Sequence, residues 1–174
     1  MDKAGYGLIE TMRVHDGRIP FLDRHLARLA RSVAELGLPR PKQDIAALVA
    51  PFSGTGNAVL RVEVLDGRAS VTVRELPPLA PPTVITASEP HQPYPHKTTE
   101  RDCFTDAGRE AEVAEADDAL LLTPEGWVAE GTVWTVCWWD GDGLRTPPLV
   151  LGILPGIGRA RVLELAPGEE PRCA

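Results

Sequence analysis

Four stretches of this 174-residue chain carry side chains whose types and order could do chemistry. The first is His96-Lys97-Thr98-Thr99-Glu100-Arg101, which follows a loop rich in proline and histidine, Glu89-Pro90-His91-Gln92-Pro93-Tyr94-Pro95. A lysine at this strand-to-helix junction could be an amine nucleophile and then a base. The plainer alternative is an ordinary surface lysine near a helix start. The second is Glu130, which ends a strand ahead of Gly131-Thr132. It is either a solvated strand-end carboxylate or an acceptor for a protonated ring nitrogen, which would let the ring act as an electron sink. Third, Gly152 to Arg159 places glycines before a helix start, where free backbone N–H groups and the helix dipole favour an anion. A plain Gly/Pro turn accounts for that loop equally well. Fourth, Arg28 on the first helix could grip a phosphate with two parallel hydrogen bonds, or be a surface arginine. Together, a lysine, a ring-nitrogen carboxylate and a phosphate cup describe a pyridoxal phosphate site.

These residues need elements to hold them. Gly7 to Val14 reads as a strand, and Asp16-Gly17 as a turn. A helix follows, with Asp23 as its N-cap and an apolar stripe of Leu22, Leu26, Leu29, Val33 and Leu36. Gly37 and Pro39 end it. Asp44 to Val49 is a second short helix, stopped by Pro51. Residues 58–74 form a hairpin with only Asp66-Gly67-Arg68 at its tip. The run Pro77-Pro78-Leu79-Ala80-Pro81-Pro82 cannot donate ladder hydrogen bonds and reads as an extended linker. Beyond it the pattern predicts a strand at 84–87, a helix at 101–116 and strands at 118–123, 127–130, 133–139 and 144–146. A helix at 160–166 and an irregular tail at 167–174 complete the chain. Helices and strands alternate on both sides of the linker, so the class is α/β or α+β.

Composition narrows the functions. A net charge of −7 and a pI near 5.1 exclude a general binder of nucleic-acid backbones, which needs a basic face. Cys103, Cys137 and Cys173 are odd in number and far apart, with no ligand spacing, so neither zinc nor a disulfide framework is expected. No apolar run spans a bilayer, and the first residues lack an apolar signal region. The expectation is a protein of the reducing cytoplasm, without membrane or metal.

Several stretches, in order over nearly the whole chain, resemble the class IV aminotransferase family, the fold-type IV pyridoxal phosphate enzymes. They are Gly7 to Val14, His25-Leu26-Ala27-Arg28-Leu29, His96-Lys97-Thr98-Thr99, Glu130-Gly131-Thr132, Thr146-Pro147-Pro148-Leu149 and Gly152 to Ile157. The resemblance implies that Lys97 is the catalytic lysine that binds the cofactor as a Schiff base, and that Glu130 holds the pyridine nitrogen. It implies that Arg28 grips the phosphate with the backbone of Ile157 and Gly158, and that Thr132 lies near the cofactor. It further implies a small N-terminal α/β domain at residues 1–85 and a cofactor-binding pseudo-barrel domain at 86–174, incomplete at its C-terminus. A homodimer is implied as well. Within the family, the short hairpin tip and the His-Lys-Thr-Thr run look most like the 4-amino-4-deoxychorismate lyase branch. That enzyme forms pyruvate and 4-aminobenzoate, a folate precursor, and Arg61 or Arg68 could pair with a substrate carboxylate. The alternatives are an aminotransferase of branched-chain or D-amino acids and a family member that has lost catalysis and serves in binding.

Overall fold

Alternation along three strands decides the first folding unit. A computed structural model describes residues 6–54, 56–77, 82–141 and 143–166. In it β1 (Gly7–Val14), β2 (Ala58–Leu65) and β3 (Arg68–Glu75) form an antiparallel sheet in the order β1-β2-β3. Leu8, Met12 and Val14 share one face with Leu60, Val62 and Val64. That face packs against Leu29 and Val33 of α1 (Leu22–Leu36) and Ile45 and Val49 of α2 (Ile45–Val49). A period of two in the strands and of three to four in α1 turns both apolar stripes inward.

One end of these elements differs from expectation. Phe21, at φ 58 and with no side-chain cap, precedes α1, so Asp23 is not the N-cap. It lies inside the first turn, where its charge meets the positive end of the helix dipole. α2 ends at Val49 ahead of Pro51, as expected, but a 3-10 turn (Ala50–Phe52) that includes the proline follows it directly. A proline at the start of a turn has no backbone N–H to lose there. Asp44 caps α2, with Oδ1 accepting from the Ala46 and Ala47 N–H groups, and Gly37 closes α1 at φ 63.

The second unit is mixed. β4 (Val84–Thr86) pairs in parallel with β5 (Asp118–Leu122), which pairs antiparallel with β6 (Val128–Gly131). α3 (Thr105–Val113) connects β4 to β5, and Phe104, Ala107 and Ala111 pack with Ala119 and Leu121. The helix expected at 101–116 is shorter because a 3-10 turn (Asp102–Phe104) precedes it and Glu115 turns back at φ 54. The strand expected at 133–139 is reduced to β7 (Trp138–Asp140), paired with β8 (Gly143–Arg145). Residues ahead of β7 bond locally instead: Gly131 N–H donates to the Trp134 carbonyl, and Thr146 Oγ1 to the Val136 carbonyl. α4 (Ile157–Leu165) starts three residues earlier than the sequence suggests.

By contact the chain divides into residues 1–79 with 96–100, and 80–95 with 101–174. It therefore changes units more than once, and the Lys97 stretch belongs with the N-terminal sheet. Residues 78–81 of the linker and the tail at 167–174 lie outside the described residues. Among the described residues no helix is long and apolar enough to cross a membrane.

The β2–β3 hairpin turns on two residues, Asp66 at φ 49 and Gly67 at φ 70, so Arg68 is a strand residue and not part of the tip. A Cβ on Gly67 would lie 2.9 Å from the Arg40 carbonyl oxygen. Gly67→Ala therefore adds left-handed strain to a backbone clash, and is expected to cost about 2 kcal/mol in urea unfolding.

Candidate active site

Lys97 is held by the free edge of β1. Ile9 N–H donates to the Lys97 carbonyl at 2.8 Å, and Thr99 N–H to the Gly7 carbonyl at 2.9 Å. Gly7 N–H donates to Thr99 Oγ1 at 2.9 Å, and Leu8 bridges Thr98 in antiparallel sense. Continuing that register sets Lys97 opposite Ile9 and His96 opposite Glu10. Successive side chains of an extended segment point to opposite faces. His96 faces α1, with Nδ1 3.1 Å from Ser32 Oγ and Nε2 3.6 Å from Glu35. Lys97 accordingly lies on the other face of the sheet, the one that carries Thr11, Arg61 and Thr72 in one cross-strand row.

Arg28 is buried on the α1 side of the same sheet. Its Nε donates to Glu10 Oε1 at 2.8 Å and its NH2 to Glu10 Oε2 at 2.6 Å. His25, one helical turn earlier, lies 2.7 Å from the same Oε2. Two of the five guanidinium N–H donors are thus directed at Glu10, a fork-on-carboxylate geometry. Burial alone would push the Glu10 carboxyl up. The hydrogen bonds and charges of His25 and Arg28 outweigh it, so the carboxyl sits below its ordinary 4.5.

In the second unit Glu130 is 6% exposed on β6. Its Oε1 lies 2.9 Å from His91 Nε2, and its Oε2 accepts from the Leu154 N–H at 3.2 Å. The turn after it is organised by buried Asp118. Asp118 Oδ1 accepts from the Thr132 hydroxyl and from its N–H at 3.3 Å, and Oδ2 from the Val133 N–H at 3.4 Å. A Cβ at position 131 would meet Asp118 Oδ2 at 2.7 Å, so any other residue there would displace the Asp118 carboxylate that holds the turn. Arg101 NH2 donates to the Thr132 carbonyl while its guanidinium carbon lies 4.7 Å from the Phe104 ring centroid and 5.7 Å from that of Tyr94.

Leu154 is also three residues from the start of α4, so one short loop links Glu130 to a helix N-terminus. Ile157 and Gly158 open that helix, and no side chain caps it. Their N–H groups lie among those that an α-helix leaves without internal acceptors. Arg159, in the same turn, is buried, with Nε and NH2 donating to the Pro147 carbonyl at 3.2 and 3.0 Å. Burial lowers its pKa. An uncapped, positively charged helix start suits a phosphate, and a buried carboxylate suits a protonated ring nitrogen. The donor and acceptor set of this unit fits pyridoxal phosphate. Among the described residues no cluster of His, Cys, Asp or Glu could hold a metal.

Sequence reading passed over Glu10, His25, His91 and Asp118 as site residues. A usable signal existed for the first two: a glutamate on the apolar face of a strand needs a cation, and His25 and Arg28 are spaced to share one helix face. His91 and Asp118 carry no local signal, since their partners are 39 and 14 residues away.

Known proteins resemble this chain over nearly its whole length. The family model for class IV aminotransferases matches residues 7–171. A Schizosaccharomyces pombe protein with the provisional name aminodeoxychorismate lyase is 30% identical over 90% of this chain, which spans 73% of that protein. The aminodeoxychorismate lyase of Bacillus subtilis is 26% identical over 93% of this chain, which spans 65% of it. The solved structure of a provisionally named amino-acid aminotransferase from Mesorhizobium loti superposes with a TM-score of 0.83 at 34% identity, covering 97% of this chain and 87% of that one. The mixed α/β class and fold-type IV architecture expected from the sequence are those of these enzymes.

Glu10→Gln leaves Arg28 buried without its anion and is expected to destabilise the protein by about 3–5 kcal/mol in urea unfolding. Because the folded-state carboxyl lies below its ordinary 4.5, its contribution is present above that value and is lost as pH falls through the lower folded value. Unfolding curves recorded down an acid series will show a loss of stability in wild type that is flattened in Glu10→Gln.

Proposed function

We propose, from the premise that this chain belongs to the class IV aminotransferase family, that it acts as a lyase on 4-amino-4-deoxychorismate and yields pyruvate and 4-aminobenzoate. The chain is a pyridoxal phosphate enzyme, as its family is. The observation that carries the lyase reading is the hairpin: β2 and β3 pair without interruption from Ala58↔Glu75 to Leu65↔Arg68 around two turn residues. This leaves no room there for the longer substrate loop expected of an aminotransferase. The names of the two relatives support the same branch.

When bound, the cofactor supplies an electron sink for charge left at the amine-bearing carbon. In this reading Lys97 Nζ would hold the cofactor, and the same amine would be the base that removes the proton from the amine-bearing carbon of the substrate. The ring C–O bond would then break, enolpyruvate leaving with the oxygen and the bonding electrons as the ring becomes aromatic, and protonation of the enolpyruvate methylene would give pyruvate. Glu130 would hold the ring nitrogen. The N–H groups of Ile157 and Gly158 would hold the phosphate, Arg28 would be a further cation for it, and Thr132 would lie near the cofactor. Arg61 shares a sheet face with Lys97 and lies one cross-strand row away from it, so it is the candidate for a substrate carboxylate. Arg61 is exposed, and its NH2 lies 3.2 Å from Glu63. We place the enzyme in the cytoplasm as a homodimer that supplies a folate precursor.

A second reading, amino-acid transamination, is favoured by the 34% identity to the Mesorhizobium loti structure. Product analysis separates the two. With 4-amino-4-deoxychorismate the lyase reading expects pyruvate and 4-aminobenzoate in equal amounts. Exchange between branched-chain or D-amino acids and 2-oxoglutarate, without aromatic product, would replace that reading. Lys97→Ala is expected to abolish the visible absorption of bound cofactor and to lower turnover by ~10³-fold or more. A colourless wild type that stays colourless with added cofactor would favour a binding role. Arg61→Leu is expected to raise KM about tenfold with little change in kcat, the signature of a lost charge-assisted contact to substrate.

A further inference from the structure

The cofactor-facing carboxylate has a partner of its own. Glu130 and His91 are 39 residues apart, yet their side chains are 7% and 2% exposed and meet at 2.9 Å between Oε1 and Nε2. Backbone geometry brings them together. His91 N–H donates to the Leu122 carbonyl at 2.7 Å, which ties the loop after β4 to the end of β5. Leu121 of β5 pairs with Glu130 across the ladder, and the register shifts between Leu121 and Leu122. The imidazole is thereby held beside the carboxylate. The Leu154 N–H, at 3.2 Å, takes the other oxygen.

We propose that His91 is a positioning residue for Glu130. The imidazole donates through Nε2 to Oε1, the Leu154 N–H donates to Oε2, and two donors from different loops fix the plane of the carboxylate. A side chain with three rotatable bonds is then already oriented when a ring nitrogen arrives, which spares the binding step the cost of ordering it. The remaining lone pairs are presented to the ring N–H, since a carboxylate offers about four acceptor sites and two are used. The inference rests on the reading that Glu130 faces the ring nitrogen, and it adds the residue that aims it.

The test compares two ligands that differ at one atom. Apo-protein is titrated with pyridoxal phosphate and with its deaza analogue, in which C–H replaces the ring nitrogen, and tryptophan quenching reports binding. Wild type is expected to prefer pyridoxal phosphate about tenfold, the worth of a charge-assisted hydrogen bond. His91→Phe is expected to lose most of that preference while its affinity for the analogue stays within about twofold, because the analogue makes no bond to Glu130. His91→Gln keeps a donor of similar reach and is expected to retain the preference. His91→Asn is too short to reach and stands in for His91→Phe should that variant not fold. A His91→Phe or His91→Asn protein that keeps the preference overturns the proposal, and so does one that weakens both ligands equally, which marks a packing role only. A wild type without any preference instead refutes the role of Glu130, and the proposal with it.

Discussion

The backbone pairing of residues 97–99 with the free edge of β1 is the constraint on which the site depends. A lysine in a loop between two prolines and a helix would sample many directions. Here the Lys97 carbonyl and the Thr99 N–H are bonded to Ile9 and Gly7. Strand alternation then decides which way each side chain points. His96 is turned onto α1, where Ser32 and Glu35 receive it. Lys97, the next residue, is thereby turned onto the opposite face of the sheet, the face of Ile9. An edge strand that would otherwise expose unpaired N–H and C=O groups is also covered.

Buried carboxylates are the second organising feature. Glu10, Asp118 and Glu130 are each 6% exposed or less. Taking a carboxylate out of water is costly unless donors replace its hydration, and each is supplied with several. Glu10 has His25 and Arg28, Asp118 has the backbone and hydroxyl of the turn after β6, and Glu130 has His91 and the Leu154 N–H. These contacts add less to stability than apolar burial of similar volume would. Their effect is to leave one arrangement for the side chains around them, because any other strands a charge.

Legibility in the sequence followed the range of the interactions. β1, the β2–β3 hairpin, the short helix ending at Val49 and Gly37 as a helix end were readable because their causes lie within a few residues. The start of α1 was not, since Phe21 in a left-handed conformation carries no sequence mark. The stretch before β7 reads as a strand because Val133, Trp134 and Val136 have strand propensity, yet Val133 and Trp134 bond within the turn held by Asp118 and the Val136 carbonyl accepts from Thr146 Oγ1. In the site, Lys97, Glu130 and the loop before α4 stood out by type and order. The partners that aim them are set by tertiary pairing, which no local pattern records.

We propose that the edge of β1 singles out Lys97 as the residue that holds the cofactor. The chain has three lysines, Lys3, Lys42 and Lys97. Incubation with pyridoxal phosphate, borohydride reduction and peptide mass mapping read the attachment site directly. A phosphopyridoxyl group is expected on the peptide containing Lys97, in near-stoichiometric amount and not on the other two. Label spread over Lys3 and Lys42, or absent from Lys97, would contradict the proposal.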